Sequence, residues 1–237
     1  MNHSVYHQIS VMTGESVHPI SEALGNMIPY PSESLCRSVG AVTLENFLIV
    51  ADGWAQAINR YIDKPVRVLD IGCGCGRTAR LLVPHQLIFE YTGFDPIKQS
   101  IDWCQSYIST RYPKARFLHF DIYSNEYNPN GTIRGVDFVF PVGQNTMNIV
   151  FAGSLFTHLL YDDSMNYLKQ IYRCLSPGGV GILSTHNETD STAPFTGNET
   201  KIDIEDNYFI SMCQQNGLKI RERLGKLCGQ ELFVVEK

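Results

Sequence analysis

Apolar residues recur along the chain with two periods, one typical of buried strands and one typical of amphipathic helices. Short apolar runs predict seven strands, at residues 66–71, 88–94, 115–120, 148–153, 180–185, 218–224 and 231–236. Helical spacing between them predicts helices at about 77–84, 97–111, 162–175 and 205–215. Two polar stretches, 124–135 and 187–201, are predicted to be loops. Strands that alternate with helices favour an α/β fold with a mostly parallel sheet, whose last two strands pair antiparallel across residues 225–229.

The segment before the first strand has a different pattern. Residues 1–41 are irregular and interrupted by proline and glycine, whereas residues 43–62 carry apolar side chains at helical spacing. Thr43 can cap that helix through its hydroxyl group. We therefore divide the chain into an N-terminal cap segment, 1–63, whose helix forms a lid, and an α/β domain, 64–237.

The first predicted strand leads into an unusual glycine alternation. Asp70 stands near the end of the strand, and glycines follow at positions 72, 74 and 76. Glycine permits positive φ and lets a ligand approach the main chain closely. A dinucleotide fingerprint reads G-x-G-x-x-G, but Arg77 occupies the place of its third glycine. The loop therefore indicates a nucleotide-like ligand and argues against NAD.

Ligands of open α/β sheets bind beyond the carboxyl ends of the strands, where this chain places polar residues. Asp95 ends the second strand and can accept both hydroxyls of a ribose, or cap the helix that Pro96 begins. Asp121 ends the third strand and can accept from an adenine amino group, with the Ile122 amide donating to the ring, or form a turn. Ser154 follows the fourth strand.

Composition narrows the class of protein. The chain is 43% hydrophobic and 18% charged, with a net charge of −5 and no basic block, which disfavours a nucleic-acid partner. It has no apolar run of transmembrane length and no signal-peptide pattern, so we expect no membrane insertion and a cytoplasmic location.

The seven cysteines also fit a reducing compartment. The pair Cys73 and Cys75 could bind a metal or act in redox chemistry, but no further ligands stand at matched spacing. We interpret them as small space-filling residues and expect no metal site.

Several segments together resemble the class I S-adenosylmethionine-dependent methyltransferases, within a bacterial subgroup often found with glycosyltransferases. They are VLDIGCGCGR at 68–77, GFD at 93–95, FDIYSNEYNPNG at 120–131, SLFTHL at 154–159, LSPGG at 175–179 and GQE at 229–231, with RSVG at 37–40 and LENFL at 44–48. The resemblance implies a Rossmann-like seven-stranded sheet, mostly parallel with the last strand antiparallel, and S-adenosylmethionine as cofactor, released as S-adenosylhomocysteine.

The cofactor residues expected on this basis lie at the strand ends: Asp70, Gly72, Cys73, Gly74, Gly76, Asp95, Pro96, Asp121, Ile122 and Ser154. Asp70 suits the ammonium group of the methionine moiety. The chain departs from the subgroup at Ser124, where the subgroup has Asn, and at Asn148, where most relatives have Asp.

Transfer of a methyl group to oxygen also removes a proton, which requires a general base or a route to solvent. His158 follows the fourth strand and is the candidate base, with a structural role as the alternative. Tyr30, Arg37 and His186 are candidate contacts for the acceptor.

The sequence thus predicts an enzyme that methylates a small molecule, with an oxygen of a sugar or another metabolite as the favoured acceptor. Two alternatives stay open at this point. One is a protein that binds S-adenosylmethionine without turnover, and the less favoured one is an NAD-dependent oxidoreductase. A homodimer is compatible with the sequence.

Overall fold

The computed structural model describes residues 28–187 and 193–237. Seven strands form one sheet in the order β3-β2-β1-β4-β5-β9-β8. They are β1 (Val66–Ile71), β2 (Ile88–Asp95), β3 (Ala115–His119), β4 (Met147–Ala152), β5 (Leu175–Thr185), β8 (Lys219–Leu227) and β9 (Gln230–Glu236). Strand β9 pairs antiparallel with both β5 and β8, while β1 to β5 pair parallel. The predicted fold class is confirmed.

Helices cover both faces of this sheet. They are α1 (Glu33–Ser38), α2 (Leu44–Asn59), α3 (Ala79–Leu82), α4 (Lys98–Cys104), α5 (Tyr161–Cys174) and α6 (Asp206–Gln215). Alternate residues of β1 enter different cores, since Val66 and Val68 pack with α2, α3 and α4, whereas Leu69 and Ile71 pack with α5 and α6. A strand buried on both faces needs an uninterrupted apolar run, which explains the sequence pattern.

Several element boundaries differ from the sequence prediction, and helix α1 lies within the segment 1–41 that was predicted to be irregular. Helix α3 is shorter than the predicted 77–84, and β5 begins at Leu175, the first residue of the LSPGG segment, rather than after that segment. The helix predicted at 97–111 changes to a π-helical turn, Gln105–Ser109. The turn between the last two strands is tighter than the predicted 225–229. Only Cys228 and Gly229 form it, and both have positive φ, as in a two-residue hairpin turn. Gly225 therefore lies within β8.

The polar stretch 187–201 is not simply a loop. Its described part forms a hairpin of β6 (Phe195–Asn198) and β7 (Lys201–Ile204). The pattern does not reveal it because β6 has no fully buried residue and contains Gly197, although Ile202 and Ile204 are buried in β7. Bonds from the Ile202 amide to the Thr157 carbonyl and from the Ile204 amide to the His186 carbonyl fix the hairpin beside the end of the sheet.

The N-terminal helix begins as predicted, with the Thr43 hydroxyl accepting a hydrogen bond from the Asn46 amide. Helix α2 packs on the main sheet through Trp54, whose ring lies 5.9 Å from that of Phe151. Gly153 is required beneath this ring, since a β-carbon there would approach Trp54 to 2.9 Å. Residues 1–27 of the predicted cap segment lie outside the described residues, and the division at residue 63 stays a prediction.

None of the helices in residues 28–187 and 193–237 is long and apolar enough to cross a membrane.

The glycine alternation yields a stability prediction. Gly76 has φ +72°, and a β-carbon there would lie 2.5 Å from Ile108 Cδ1 and 3.0 Å from Cys104 Sγ, both on the helix that follows β2. Gly178 has a similar φ of +76° but nothing within 4 Å. We expect Gly76→Ala to lower the free energy of unfolding by about 2–4 kcal/mol, and Gly178→Ala by only about 1 kcal/mol, since the first adds overpacking to backbone strain.

Urea denaturation of the two variants measures this difference. Equal losses of stability would show that backbone conformation alone makes Gly76 necessary.

Candidate active site

The loop after β1 is shaped by three glycines in the left-handed region. Gly72, Gly74 and Gly76 have φ of 70°, 51° and 72°, which explains why every second residue is glycine. The amides of Gly72 and Cys73 donate to the Phe94 carbonyl at 3.0 and 3.1 Å. The loop is therefore tied to the end of β2, and these two amides are already used within the protein.

The two cysteines between the glycines point into the protein. Cys73 and Cys75 are buried, and the Cys75 thiol donates to the Leu35 carbonyl at 3.4 Å. Burial raises the pKa of Cys75 to about 12, so the group stays a neutral thiol. They fill space between β2, α1 and α4, as the sequence analysis interpreted them. The described residues contain no group of three or more His, Cys, Asp or Glu side chains placed to hold a metal.

Asp70 lies buried at the base of the loop. Its carboxylate accepts a hydrogen bond from the hydroxyl of Tyr91 on β2. Burial raises the pKa of Asp70 to about 7, an effect that the Tyr91 bond opposes and nearby Asp95 reinforces. A buried carboxyl group whose pKa is near 7 ionises most easily when a cationic group binds beside it, because the cation stabilises the charged form.

Asp95 fixes the other side of the loop. One carboxylate oxygen accepts from the Gly74 amide and the other from the Ile97 amide, both at 2.8 Å. Burial raises the pKa of Asp95 to about 6, although both hydrogen bonds act to lower it. Each oxygen retains a lone pair, so the side chain can cap the turn before α4 and still accept from a bound hydroxyl.

A cavity of about 510 Å³ opens beyond these strand ends. Ten of the predicted site residues line it: Asp70, Gly72, Cys73, Gly74, Asp95, Pro96, Ile122, Ser154, His158 and His186. They come from the ends of β1, β2, β4 and β5 and from the loop after β3. The structure thus brings together residues that lie between positions 70 and 186 of the sequence.

Four predicted site residues do not line this cavity. Gly76 packs under α4, and Arg37 pairs with Glu33 on the exposed face of α1. The ring of Tyr30 lies 4.2 Å from the guanidinium carbon of Arg80.

The fourth, Asp121, organises its own loop. Its carboxylate accepts from the Asn128 amide group at 3.0 Å, from the Thr132 hydroxyl at 2.8 Å and from the Thr132 backbone amide. These bonds hold the pKa of Asp121 below its usual range. The turn-forming interpretation of Asp121 is thus observed, while the predicted contact with an adenine stays a prediction.

Gly131 closes the same loop. A β-carbon there would lie 2.6 Å from the Tyr123 backbone nitrogen, which explains the glycine of the Y-N-P-x-G segment.

The two departures from the subgroup lie in different places. Asn148 accepts from the Arg67 amide at 2.8 Å and so joins β4 to β1 away from the cavity. Ser124 lines the cavity, and its hydroxyl accepts from the Tyr127 amide. Of the two departures, only Ser124 lies at the site.

Ser154 adopts a conformation that is rare for residues other than glycine. Its φ is +58°, and it is held by hydrogen bonds to β5 and β9. The Ser154 amide donates to the Ser184 hydroxyl at 2.9 Å, and the Gln230 amide group donates to the Ser154 hydroxyl at 2.9 Å. Gln230 also lines the cavity. Sequence analysis noted its GQE segment without assigning it to the site.

His158 connects three segments around the cavity. Its Nδ1 lies 2.7 Å from the Glu199 carbonyl of the β6–β7 hairpin, and its Nε2 lies 3.1 Å from the Tyr127 hydroxyl. A carbonyl can only accept, so Nδ1 carries a hydrogen. The two interpretations of His158, base and scaffold, are therefore both compatible with its contacts.

Further residues that sequence analysis did not assign line the same cavity. On the hairpin side they are Tyr123, Tyr127, Asp163, Tyr167, Glu199 and Thr200, and on the helical side they include Ser38, Gly40, Asn46, Trp54, Arg77 and Cys228. Several of them had a usable sequence signal, because they lie in the segments that carry the family resemblance: Ser38 and Gly40 in RSVG, Asn46 in LENFL, Arg77 in VLDIGCGCGR, and Tyr123 and Tyr127 in FDIYSNEYNPNG. The others become neighbours only through the packing of α2, α5 and the hairpin.

The methyltransferase-domain family matches residues 49–223, and the chain therefore belongs to this family. Membership implies S-adenosylmethionine as the cofactor. The finer assignment to the glycosyltransferase-associated subgroup stays a prediction.

Solved structures share the fold at low sequence identity. A SAM-dependent methyltransferase from Leishmania major has a TM-score of 0.64 at 13% identity, over 92% of this chain and 82% of that one. A TehB-like SAM-dependent methyltransferase from Corynebacterium glutamicum has a TM-score of 0.56 at 16% identity, over 76% and 84%. The [4+2]-cyclase SpnF has a TM-score of 0.54 at 16% identity, over 73% and 59%. At these identities the likeness concerns the fold alone.

The raised pKa of Asp70 predicts how stability depends on pH. The folded protein binds this proton more tightly than the unfolded chain does, so the contribution to stability is full below a pH of about 4 and is lost as pH rises through about 7. Asn at position 70 can still accept from Tyr91 but carries no charge. We expect the stability of Asp70→Asn relative to wild type to increase between pH 5 and pH 8, measured by chemical denaturation.

Asp137→Asn is the matched control. Asp137 is exposed, and its hydrogen bond with Arg134 lowers the pKa of its carboxyl group. Between pH 5 and pH 8 the stability of Asp137→Asn relative to wild type should therefore change little, and any change should be a decrease. A flat difference for Asp70→Asn over this range would show that the pKa of Asp70 is not raised.

Proposed function

We propose that this protein transfers the methyl group of S-adenosylmethionine to a hydroxyl oxygen of a small molecule, such as a sugar or another metabolite, in the cytoplasm. One observation carries the proposal: a single cavity joins the glycine loop, Asp70 and Asp95 to a polar side that contains His158 and Tyr127. The first part suits a nucleoside with a cationic amino acid, and the second suits an uncharged polar acceptor.

The residues present fit S-adenosylmethionine. Asp95 has lone pairs available for ribose hydroxyls, and Asp70 supplies a carboxylate for the ammonium group. Ile122 and Leu155 give the cavity apolar walls for a purine ring. The bound cofactor supplies a methyl group that its sulfonium already activates, so the protein chiefly has to position the acceptor and remove its proton.

Binding without methyl transfer is the second candidate function. It is favoured by one observation, namely that a protein described as a [4+2]-cyclase shares this fold. A fold can host several activities, so turnover has to be measured. The NAD-dependent alternative is opposed by Arg77 at the place of the third dinucleotide glycine.

Calorimetry tests the cofactor assignment. We expect S-adenosylhomocysteine to bind and NAD not to bind. Asp95→Ala should weaken S-adenosylhomocysteine binding by at least about tenfold, or about 1.4 kcal/mol, because it removes both a ligand contact and the acceptor that fixes Gly74.

Asp102→Ala is the control for this experiment, because Asp102 pairs with Lys98 on the exposed face of α4 and does not line the cavity. Binding of NAD in place of S-adenosylhomocysteine would overturn the proposed function. An unchanged affinity in Asp95→Ala would remove only Asp95 from the site.

Transfer itself is tested with S-adenosylmethionine carrying a labelled methyl group and a panel of monosaccharides, nucleotide sugars and phenols. We expect label in at least one hydroxyl-bearing acceptor. Tight cofactor binding with no labelled product across the panel and in cell extract would favour the protein that binds without turnover.

A further inference from the structure

The hydrogen-bond partners of His158 determine where its protons sit. The Glu199 carbonyl lies 2.7 Å from Nδ1 and can only accept, so the neutral imidazole carries its hydrogen on Nδ1 and has a lone pair on Nε2. The Tyr127 hydroxyl lies 3.1 Å from that lone pair. The consistent arrangement is therefore that Tyr127 donates to Nε2 of His158.

The two rings are held in this arrangement by packing as well as by the hydrogen bond. They meet edge to face, with centroids 5.1 Å apart and an interplanar angle of 85°. The Tyr127 amide donates to the Ser124 hydroxyl, and the His158 amide donates to the Leu155 carbonyl. Both side chains line the same cavity as Asp95.

The raised pKa of Tyr127 suits a group that relays a proton rather than one that carries a permanent charge. Burial, together with the nearby carboxylates of Glu126 and Asp95, raises the pKa of Tyr127 to about 12. The phenol is thus neutral at physiological pH. A neutral hydroxyl can accept one proton while it donates another, and so it can pass a proton without accumulating charge.

We propose that Tyr127 is the catalytic group that contacts the acceptor hydroxyl, and that His158 is the base that acts through it. The proposal rests on the proposed function, which it deepens by naming the acceptor class as a hydroxyl that is not ionised at neutral pH. Such a hydroxyl has to lose its proton as it is methylated, whereas a carboxylate or a phenolate does not.

The step balances without a further reactant. The acceptor oxygen forms a bond to the methyl carbon as the carbon–sulfur bond breaks, and the bonding pair stays on sulfur. The acceptor proton moves to the Tyr127 oxygen while the Tyr127 proton moves to Nε2 of His158. The imidazolium that results keeps its Nδ1–H on the Glu199 carbonyl, and its extra proton leaves to water through the cavity.

The relay is tested first in the protein alone. In ¹⁵N-histidine-labelled protein we expect His158 to show the Nδ1–H tautomer, with an Nε2 resonance typical of a hydrogen-bond acceptor. Tyr127→Phe should shift that resonance toward a free Nε2 and leave the tautomer unchanged, because Phe keeps the ring contact but lacks the hydroxyl. Tyr107→Phe, in an exposed position on the π-helical turn after α4, is the control that should shift nothing.

An Nε2–H tautomer in the wild type, or an Nε2 resonance that Tyr127→Phe does not move, would overturn the relay. This measurement requires no acceptor, so it decides the point even when no compound of the panel is methylated.

The second test compares two acceptors that differ in ionisation, an alcohol methylated in the panel and 4-nitrophenol at pH 8, where it is largely ionised. Tyr127→Phe and His158→Gln should each lower kcat on the alcohol by roughly 10²–10⁴-fold, with KM for the cofactor unchanged. Both should have little effect on 4-nitrophenol, and the double variant should lose no more than either single variant. Equal losses on both acceptors would instead assign a structural role to the pair.

Failure of this proposal is distinguishable from failure of the proposed function. If S-adenosylhomocysteine does not bind the wild-type protein, the proposed function itself is wrong. Only the relay is wrong if S-adenosylhomocysteine binds equally to the wild type and to Tyr127→Phe while the substitution lowers kcat equally on the alcohol and on 4-nitrophenol.

Discussion

The site depends on the way the ends of β1 and β2 are joined. The buried Asp95 carboxylate accepts a hydrogen bond from the Gly74 amide. The Phe94 carbonyl accepts from the amides of Gly72 and Cys73. These bonds turn the chain sharply and hold the glycine loop against β2. Because the carboxylate is buried, a lost partner would leave a polar group without compensation, which makes this connection expensive to break. The cavity floor, and with it the position of any bound nucleoside, follows from this one arrangement.

A second junction closes the other side of the cavity. His158 lies between the loop after β3 and the β6–β7 hairpin, and it contacts each through one ring nitrogen. The hairpin is fixed in turn by backbone bonds to Thr157 and His186. A neutral imidazole with one nitrogen bonded to a carbonyl has a defined tautomer, so the same contacts that build the wall also leave Nε2 as a hydrogen-bond acceptor.

Much of the fold could be predicted because its signals are local. A strand buried on both faces needs a continuous apolar run, as 66–71 shows, and a left-handed turn needs glycine, as Gly72 and Gly74 show. The β6–β7 hairpin escaped prediction because β6 has only four residues and none of them is fully buried. The length of α3 did too, since propensity does not fix where a short helix ends.

The sequence by itself determined the class of fold, the seven strands of the main sheet and which strand ends carry polar residues, because each depends on periodicity or on a residue's own backbone preference. Only the tertiary structure decided which of those residues share a cavity. Asp95 faces the cavity while Asp121 bonds within its own loop, and Tyr127 reaches His158 although 31 positions separate them along the chain. Such encounters depend on how loops fold back over the sheet, which no local pattern encodes.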